Sequence, residues 1–122
     1  PGVGASTAAI YGGVTPAMYS DGGGVHRMVA ALRSRRPARV AASLANALER
    51  VAAPQYPQVR QMEAALLAAG ALGAAMSGSG LTVFGVARSF DHARQIRARV
   101  TRGSWRCWAV RTLSGPAIRV RA

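Results

Sequence analysis

The sequence predicts an α+β domain whose helices pack on one face of a small antiparallel sheet. Three observations carry that expectation. Apolar residues recur at helical spacing through much of the first 70 positions. Two short runs rich in β-formers then flank a Ser-Gly-Ser-Gly turn at 77–80. A further helical stretch and a last strand-like run follow, so helices and strands are segregated rather than alternating.

Element by element, Ser6 suits the cap of a short helix running to Tyr11, because its hydroxyl can accept from the orphan amides of a first turn. Gly12, Gly13 and the Gly22–Gly24 run bracket a loop around Thr15-Pro16. Val25, Met28, Val29 and Leu32 predict a helix to about Ser34. Pro37 fits the first position of the next helix, with Val40, Leu44, Leu48 and Val51 on one face and Pro54 as its end. Pro57 opens another, with Val59, Met62 and Leu66 inward and Leu67 beside them, stopped by Gly70. Leu72–Met76 and Leu81–Ala87 read as strand, glycine turn, strand. Ser89 and Asp91 start a last helix with Ala93, Ile96, Arg97 and Val100 on one side. Trp105–Leu113 reads as a final strand. The domain is expected to span 1–113, with a basic tail over 114–122.

The chain has 122 residues, half of them hydrophobic, which is enough for one packed core and short for two. No secretory signal is visible in the first residues. The longest apolar run, Ala64–Met76, is broken by Gly70 and Gly73 and falls short of the roughly 20 residues a bilayer span needs. A single cysteine, Cys107, cannot form an intrachain disulfide or build a cysteine zinc site, and it fits a reducing cytoplasm. The net charge of +12 invites a nucleic-acid reading. All 16 basic residues are Arg, however, and they are dispersed, which reads as composition bias; the excess would still attract anionic nucleotides. The acidic residues are only Asp21, Glu49, Glu63 and Asp91, and His26 and His92 stand alone, so no metal site is expected. Cys107, Trp105 and Trp108 read as packing residues.

The most informative stretch is Met76-Ser77-Gly78-Ser79-Gly80-Leu81-Thr82-Val83-Phe84. A Gly-Ser-Gly turn between strands exposes backbone N–H groups and lets a phosphate approach without a Cβ in the way. It is not a Walker A loop, since the chain has no Lys. The stretch closely resembles the third conserved motif of the GHMP kinase superfamily, with Leu81 where that motif usually has a small residue or Pro. Asn46-Ala47-Leu48-Glu49 followed by Tyr56-Pro57 resembles a motif pair of the diphosphocytidyl-methylerythritol branch, with Ala47 in place of the usual Asp. Read without that resemblance, Asn46 is a polar residue on an outward helix face. Residues 1–11 resemble the segment that opens the C-terminal half of the same kinases. Thr7 and Tyr11 would there help hold the cytidine end of the substrate, and at i and i+4 they share one helix face.

The resemblance implies a fold like the GHMP kinase C-terminal domain. It also implies that the intact protein moves the γ-phosphoryl group of ATP to the 2-hydroxyl of 4-diphosphocytidyl-2-C-methyl-D-erythritol, a step of non-mevalonate isoprenoid synthesis in the cytoplasm. The catalytic groups and most contacts to ATP and Mg²⁺ would lie in an N-terminal half outside these residues. This chain would supply Thr7, Tyr11 and the glycine loop Ser77, Gly78, Ser79 and Gly80, would carry no catalytic residue or metal ligand, and would be inactive alone. Its partners would be that N-terminal half, the substrate and ATP, with self-association through the exposed interface and no membrane. Homoserine- or mevalonate-type kinases share the glycine motif but fit the Thr7/Tyr11 and Asn46/Tyr56 segments less well. An Arg-rich RNA-binding module would explain the charge but not the loop; steeply salt-dependent RNA binding would mark it. A non-catalytic scaffold would bind neither nucleotide nor substrate.

Overall fold

A computed structural model describes residues 4–100 and 105–115. Six α-helices pack with a two-stranded antiparallel sheet among the described residues, the α+β class the sequence predicts. The first helix, α1 (Thr7–Gly12), starts where expected, with the Ser6 hydroxyl accepting from the Ala9 N–H. A single 3₁₀ turn, Pro16–Met18, interrupts the loop that follows. Helix α2 (Gly23–Arg33) begins inside the glycine run, and Gly22, with φ at +82°, sits at its N-cap.

The apolar stripe of α2 does not face a core. Val25, Val29 and Leu32 are exposed, and Ala31 is the residue that buries. The expected helix from Pro37 to Pro54 is two helices, α3 (Pro37–Ala42) and α4 (Glu49–Gln55). The break has a side-chain cause: Asn46 Oδ1 accepts the Leu48 N–H, a local turn that competes with helical pairing. Pro54 lies inside α4 rather than ending it. Helix α5 (Gln58–Ala68) follows Pro57 as predicted and stops before Gly70, whose φ of +107° a side chain would resist. Val59 on α5 is fully buried, Met62 and Leu66 are half-buried, and Leu67 is exposed.

Strands β1 (Gly73–Met76) and β2 (Val83–Val86) pair in the register Gly73 to Val86 and Met76 to Val83, which places residues 77–82 as the connecting turn. At Gly73 a Cβ would come within 3.0 Å of the Ala41 carbonyl, so glycine here permits the close approach of α3 to the sheet. Helix α6 (Phe90–Val100) is capped by Ser89, whose hydroxyl accepts the His92 N–H, and buries Ile96 and Val100.

The expected final strand is absent: residues 105–115 form no ladder bonds with any described segment. They alternate nonetheless. Trp105, Cys107 and Ala109 are half-buried while Arg106, Trp108 and Val110 are exposed, so Trp105 packs but Trp108 does not. The Arg111 guanidinium, 4.1 Å from the centroid of the Phe90 ring, ties this segment to the start of α6. β2 thus has strand-forming chemistry nearby but no partner on its free edge among the described residues. Part of the basic tail, 116–122, and residues 1–3 lie outside the described residues.

The core divides in two. Ile10, Val51, Ala52, Val59 and Met76 form one cluster, joining α1, α4, α5 and the end of β1. Ala69, Ala71, Ile96 and Val100 form the other, with Leu66, Trp105 and Cys107 at its margin. No helix among the described residues is long and apolar enough to cross a membrane.

Candidate functional site

Helix α1 is short, and one residue anchors it. Ile10 is fully buried against α4 and Met76, which seats the helix over the end of β1. Thr7 then lies at the tip of the glycine loop. The Ser79 hydroxyl donates to Thr7 Oγ1 at 3.1 Å, across 72 positions of sequence. Two segments read separately from the sequence therefore form one face. Tyr11 stands one turn further along the same helix, 58% exposed, with its ring open to solvent.

The loop itself is a tight structure. The Ser77 N–H donates to the Thr82 carbonyl at 2.8 Å, closing its neck, and Gly78 adopts a left-handed conformation with φ at +59°. Ser77 and Gly78 are exposed and Ser79 and Gly80 half-buried. Among the described residues, no protein acceptor meets the N–H groups of Gly78 and Ser79, while the turn at 78–79 sets the Gly80 N–H toward the Ser77 carbonyl. Amides left open on a glycine turn are suited to an anion.

Asn46, in the α3–α4 connection, and Glu49, at the start of α4, reach the loop's base. The Asn46 carboxamide donates to the Met76 carbonyl at 2.9 Å and to the Gly78 carbonyl at 2.8 Å. Glu49 Oε1 accepts the Met76 N–H at 2.6 Å. Read without the resemblance, Asn46 would lie on an outward helix face; the structure turns it toward the loop. The missed signal was the Asn-x-x-Glu spacing, which marks a helix start and so a break in the apolar stripe running from 40 to 51.

Behind Glu49 lies a second carboxyl. Glu63 on α5 is buried, with Oε2 3.3 Å from Arg60 Nη1 and Oε1 without a hydrogen-bond partner. Burial raises the Glu63 carboxyl above its ordinary value; the hydrogen bond it makes to Glu49 when protonated, and the charge of Glu49, push the same way, while Arg60 opposes them. Arg60 also approaches Glu49 at 3.9 Å, so one partly exposed cation is shared by two acids. The other carboxylates are engaged elsewhere. Asp21 caps the Gly23 N–H, and Asp91 pairs with Arg94.

The remaining sequence candidates lie apart from this face. His92 is buried and accepts the Arg88 N–H through Nδ1 at 3.0 Å, a structural role at the start of α6. Cys107 packs at the edge of the second core cluster. An open groove of about 1770 Å³ runs between β2 and the 105–112 segment and includes Leu32, Val40, Phe84 and Trp108. Its lining is largely apolar and omits Thr7 and Ser77–Gly80, so the candidate site is not there.

Comparison with known proteins agrees with the motif reading. Residues 28–106 match the family model described as GHMP kinases C terminal. Among curated relatives, the 4-diphosphocytidyl-2-C-methyl-D-erythritol kinase of Pelotomaculum thermopropionicum is 40% identical over 114 residues, covering 93% of this chain and 40% of the relative. The protein of that name from Moorella thermoacetica is 42% identical over 106 residues, 82% of this chain and 36% of the relative. That from Gloeobacter violaceus is 49% identical over 71 residues, 58% of this chain and 24% of the relative. The chain thus spans well under half the length of the relatives it matches. No solved structure matches it.

Proposed function

The chain belongs to the GHMP kinases through their C-terminal domain, and from that membership we propose that it forms the substrate-side part of a 4-diphosphocytidyl-2-C-methyl-D-erythritol kinase. The complete protein would transfer the γ-phosphoryl group of ATP to the 2-hydroxyl of that acceptor. The observation that carries the reading is the hydroxyl pair Thr7–Ser79, which joins the cytidine-side helix to the glycine loop in one open polar face. A substrate with a pyrimidine at one end and a diphosphate in the middle suits such a face. Tyr11 offers a stacking ring, Thr7 a hydroxyl, and the loop its unpaired amides.

Phosphoryl transfer depends on positioning and on neutralising phosphate charge. This face can do the first. Hydroxyls, amides and a tyrosine ring hold and orient a ligand, but none is a general base at neutral pH. Mg²⁺ does not fit here either: Glu49 already accepts a backbone N–H, and Glu63 lies buried beside Arg60. The metal would arrive on the phosphates of ATP and be held by the rest of the enzyme.

The apolar groove between β2 and residues 105–112, with the exposed stripe of α2 (Val25, Val29, Leu32) as a further unpartnered surface, would pack against the remainder of the kinase. Such surface left uncovered would promote self-association of the isolated chain. A kinase assay on the full reading frame with ATP and the diphosphocytidyl acceptor tests the assignment. Turnover supports it. Activity only on homoserine or a mevalonate derivative would keep the family and overturn the acceptor.

A further inference from the structure

The loop's shape is not set by its own sequence alone. Residues 77–80 contribute one internal bond at the neck, from Ser77 to Thr82. Ser79 is tied to Thr7 on α1, and the base of the loop is restrained by Asn46 in the α3–α4 connection and by Glu49 at the start of α4. Met76 is held at its N–H by Glu49 and at its carbonyl by Asn46, and the second Asn46 N–H holds the Gly78 carbonyl. Fixing the carbonyls of Met76 and Gly78 from one side leaves the amides of Gly78 and Ser79 without protein partners among the described residues.

We propose that Asn46 and Glu49 are positioning residues: together they clamp the Ser77–Gly80 turn in the shape that offers its free amides to a phosphate-bearing ligand. That the ligand is the kinase substrate rests on the reading above; the clamp itself does not. The chemistry of position 46 is specific. Its oxygen serves the Leu48 N–H, while its nitrogen must supply two hydrogens to two carbonyls at once. Only a primary carboxamide of this length does both. A carboxylate would keep the turn at Leu48 and set an anionic oxygen against two carbonyl oxygens. Ala47 is exposed between the two clamping residues, so its departure from the usual Asp does not interrupt the clamp.

Asn46→Asp therefore separates a clamp from an ordinary turn residue. Amide signals of the ¹⁵N-labelled chain are recorded alongside kinetics of the full reading frame with ATP and the diphosphocytidyl acceptor. Asn46→Asp is expected to move the signals of Gly78, Ser79 and Gly80, to leave those of α6 in place, and to lower kcat/KM by about 10- to 100-fold. Glu49→Ala should also move the Met76 and loop signals, and Glu49→Gln, which keeps an acceptor for the Met76 N–H, should restore them. If Asn46→Asp loses the α6 signals as well, the Glu49→Ala and Glu49→Gln pair decides. Loop signals and kcat/KM unchanged in Asn46→Asp, or unchanged loop signals in Glu49→Ala, would overturn the clamp. A wild-type enzyme that does not turn over this acceptor would overturn the substrate reading, while the amide signals still decide the clamp.

Discussion

Two glycines of the same loop should respond in opposite ways to alanine. Gly78 has φ at +59°, in the left-handed region, while Gly80 does not. At both positions an added Cβ would meet no heavy atom within 4 Å, so steric crowding from neighbours is removed from the comparison. What remains at Gly78 is the backbone term, and an L-residue held left-handed costs about 1–2 kcal/mol. For a domain of this size that lowers Tm by roughly 4–10 °C. At Gly80, alanine narrows the unfolded ensemble and is neutral or stabilising by up to about 1 kcal/mol. Asparagine, which tolerates the left-handed region, should recover part of the loss at position 78. Thermal melts followed by circular dichroism, with urea titrations to fix the free energies, make the comparison. A Gly80→Ala variant as destabilised as Gly78→Ala, or a Gly78→Asn variant worse than Gly78→Ala, would refute the conformational argument.

The buried acid gives a pH signature. The Glu63 carboxyl is raised in the folded state from an ordinary value of 4.5, so its proton favours folding: that contribution is complete below 4.5 and is lost as pH rises through the raised folded value. Glu63→Gln, which cannot ionise, should lack this loss, so wild type should weaken relative to the variant as pH rises above 4.5; a Tm difference independent of pH would count against it. Tyr11 is 58% exposed, so Tyr11→Ala should leave Tm nearly unchanged. In the full reading frame it should weaken acceptor binding by about 10- to 100-fold from lost stacking; an unchanged KM and kcat/KM would remove Tyr11 from the site.

The parts of the fold legible in the sequence are those whose cause is local. Ser6 capping α1, Pro57 ahead of α5, Gly70 behind it and Ser89 capping α6 each act within a turn of the chain, and each acts as read. The glycine turn and its two strands were legible for the same reason. The errors came where distant groups decide. The stripe of Val40, Leu44, Leu48 and Val51 predicts one helix. The chain breaks instead, with Asn46 bonding partners 30 and 32 residues away. The run Trp105–Leu113 predicts a strand, but a strand is defined by a partner, and no described segment supplies one. The stripe on α2 predicts a helix, which forms; that its face stays exposed was not legible, since periodicity only says that a face is apolar, not that this domain covers it. Thr7 and the glycine loop were both legible as candidates; that they touch was not, because nothing within either segment encodes the other's place.

Taken together, the two faces of the domain divide its work. One is polar and held tightly from behind: Ile10 seats α1, and Asn46 and Glu49 hold the turn, so Thr7 and Ser79 meet at a fixed distance. The other is apolar and unfinished, with Val25, Val29, Leu32, Trp108 and Val110 exposed and the free edge of β2 unpaired among the described residues. Preorganisation of the first is useful only if a reacting group is brought to it, since its own hydroxyls and amides can orient a ligand but not take up its proton. The second is the kind of surface by which such a group would be delivered, through packing rather than through charge. The dispersed arginines add a long-range attraction for anionic ligands without fixing their pose. On the proposed kinase reading, affinity for the acceptor and rate of transfer should separate: changes on the Thr7–Tyr11 helix would act on the first, and changes along β2 and 105–112 would act on the second by altering how the remainder of such a kinase is seated.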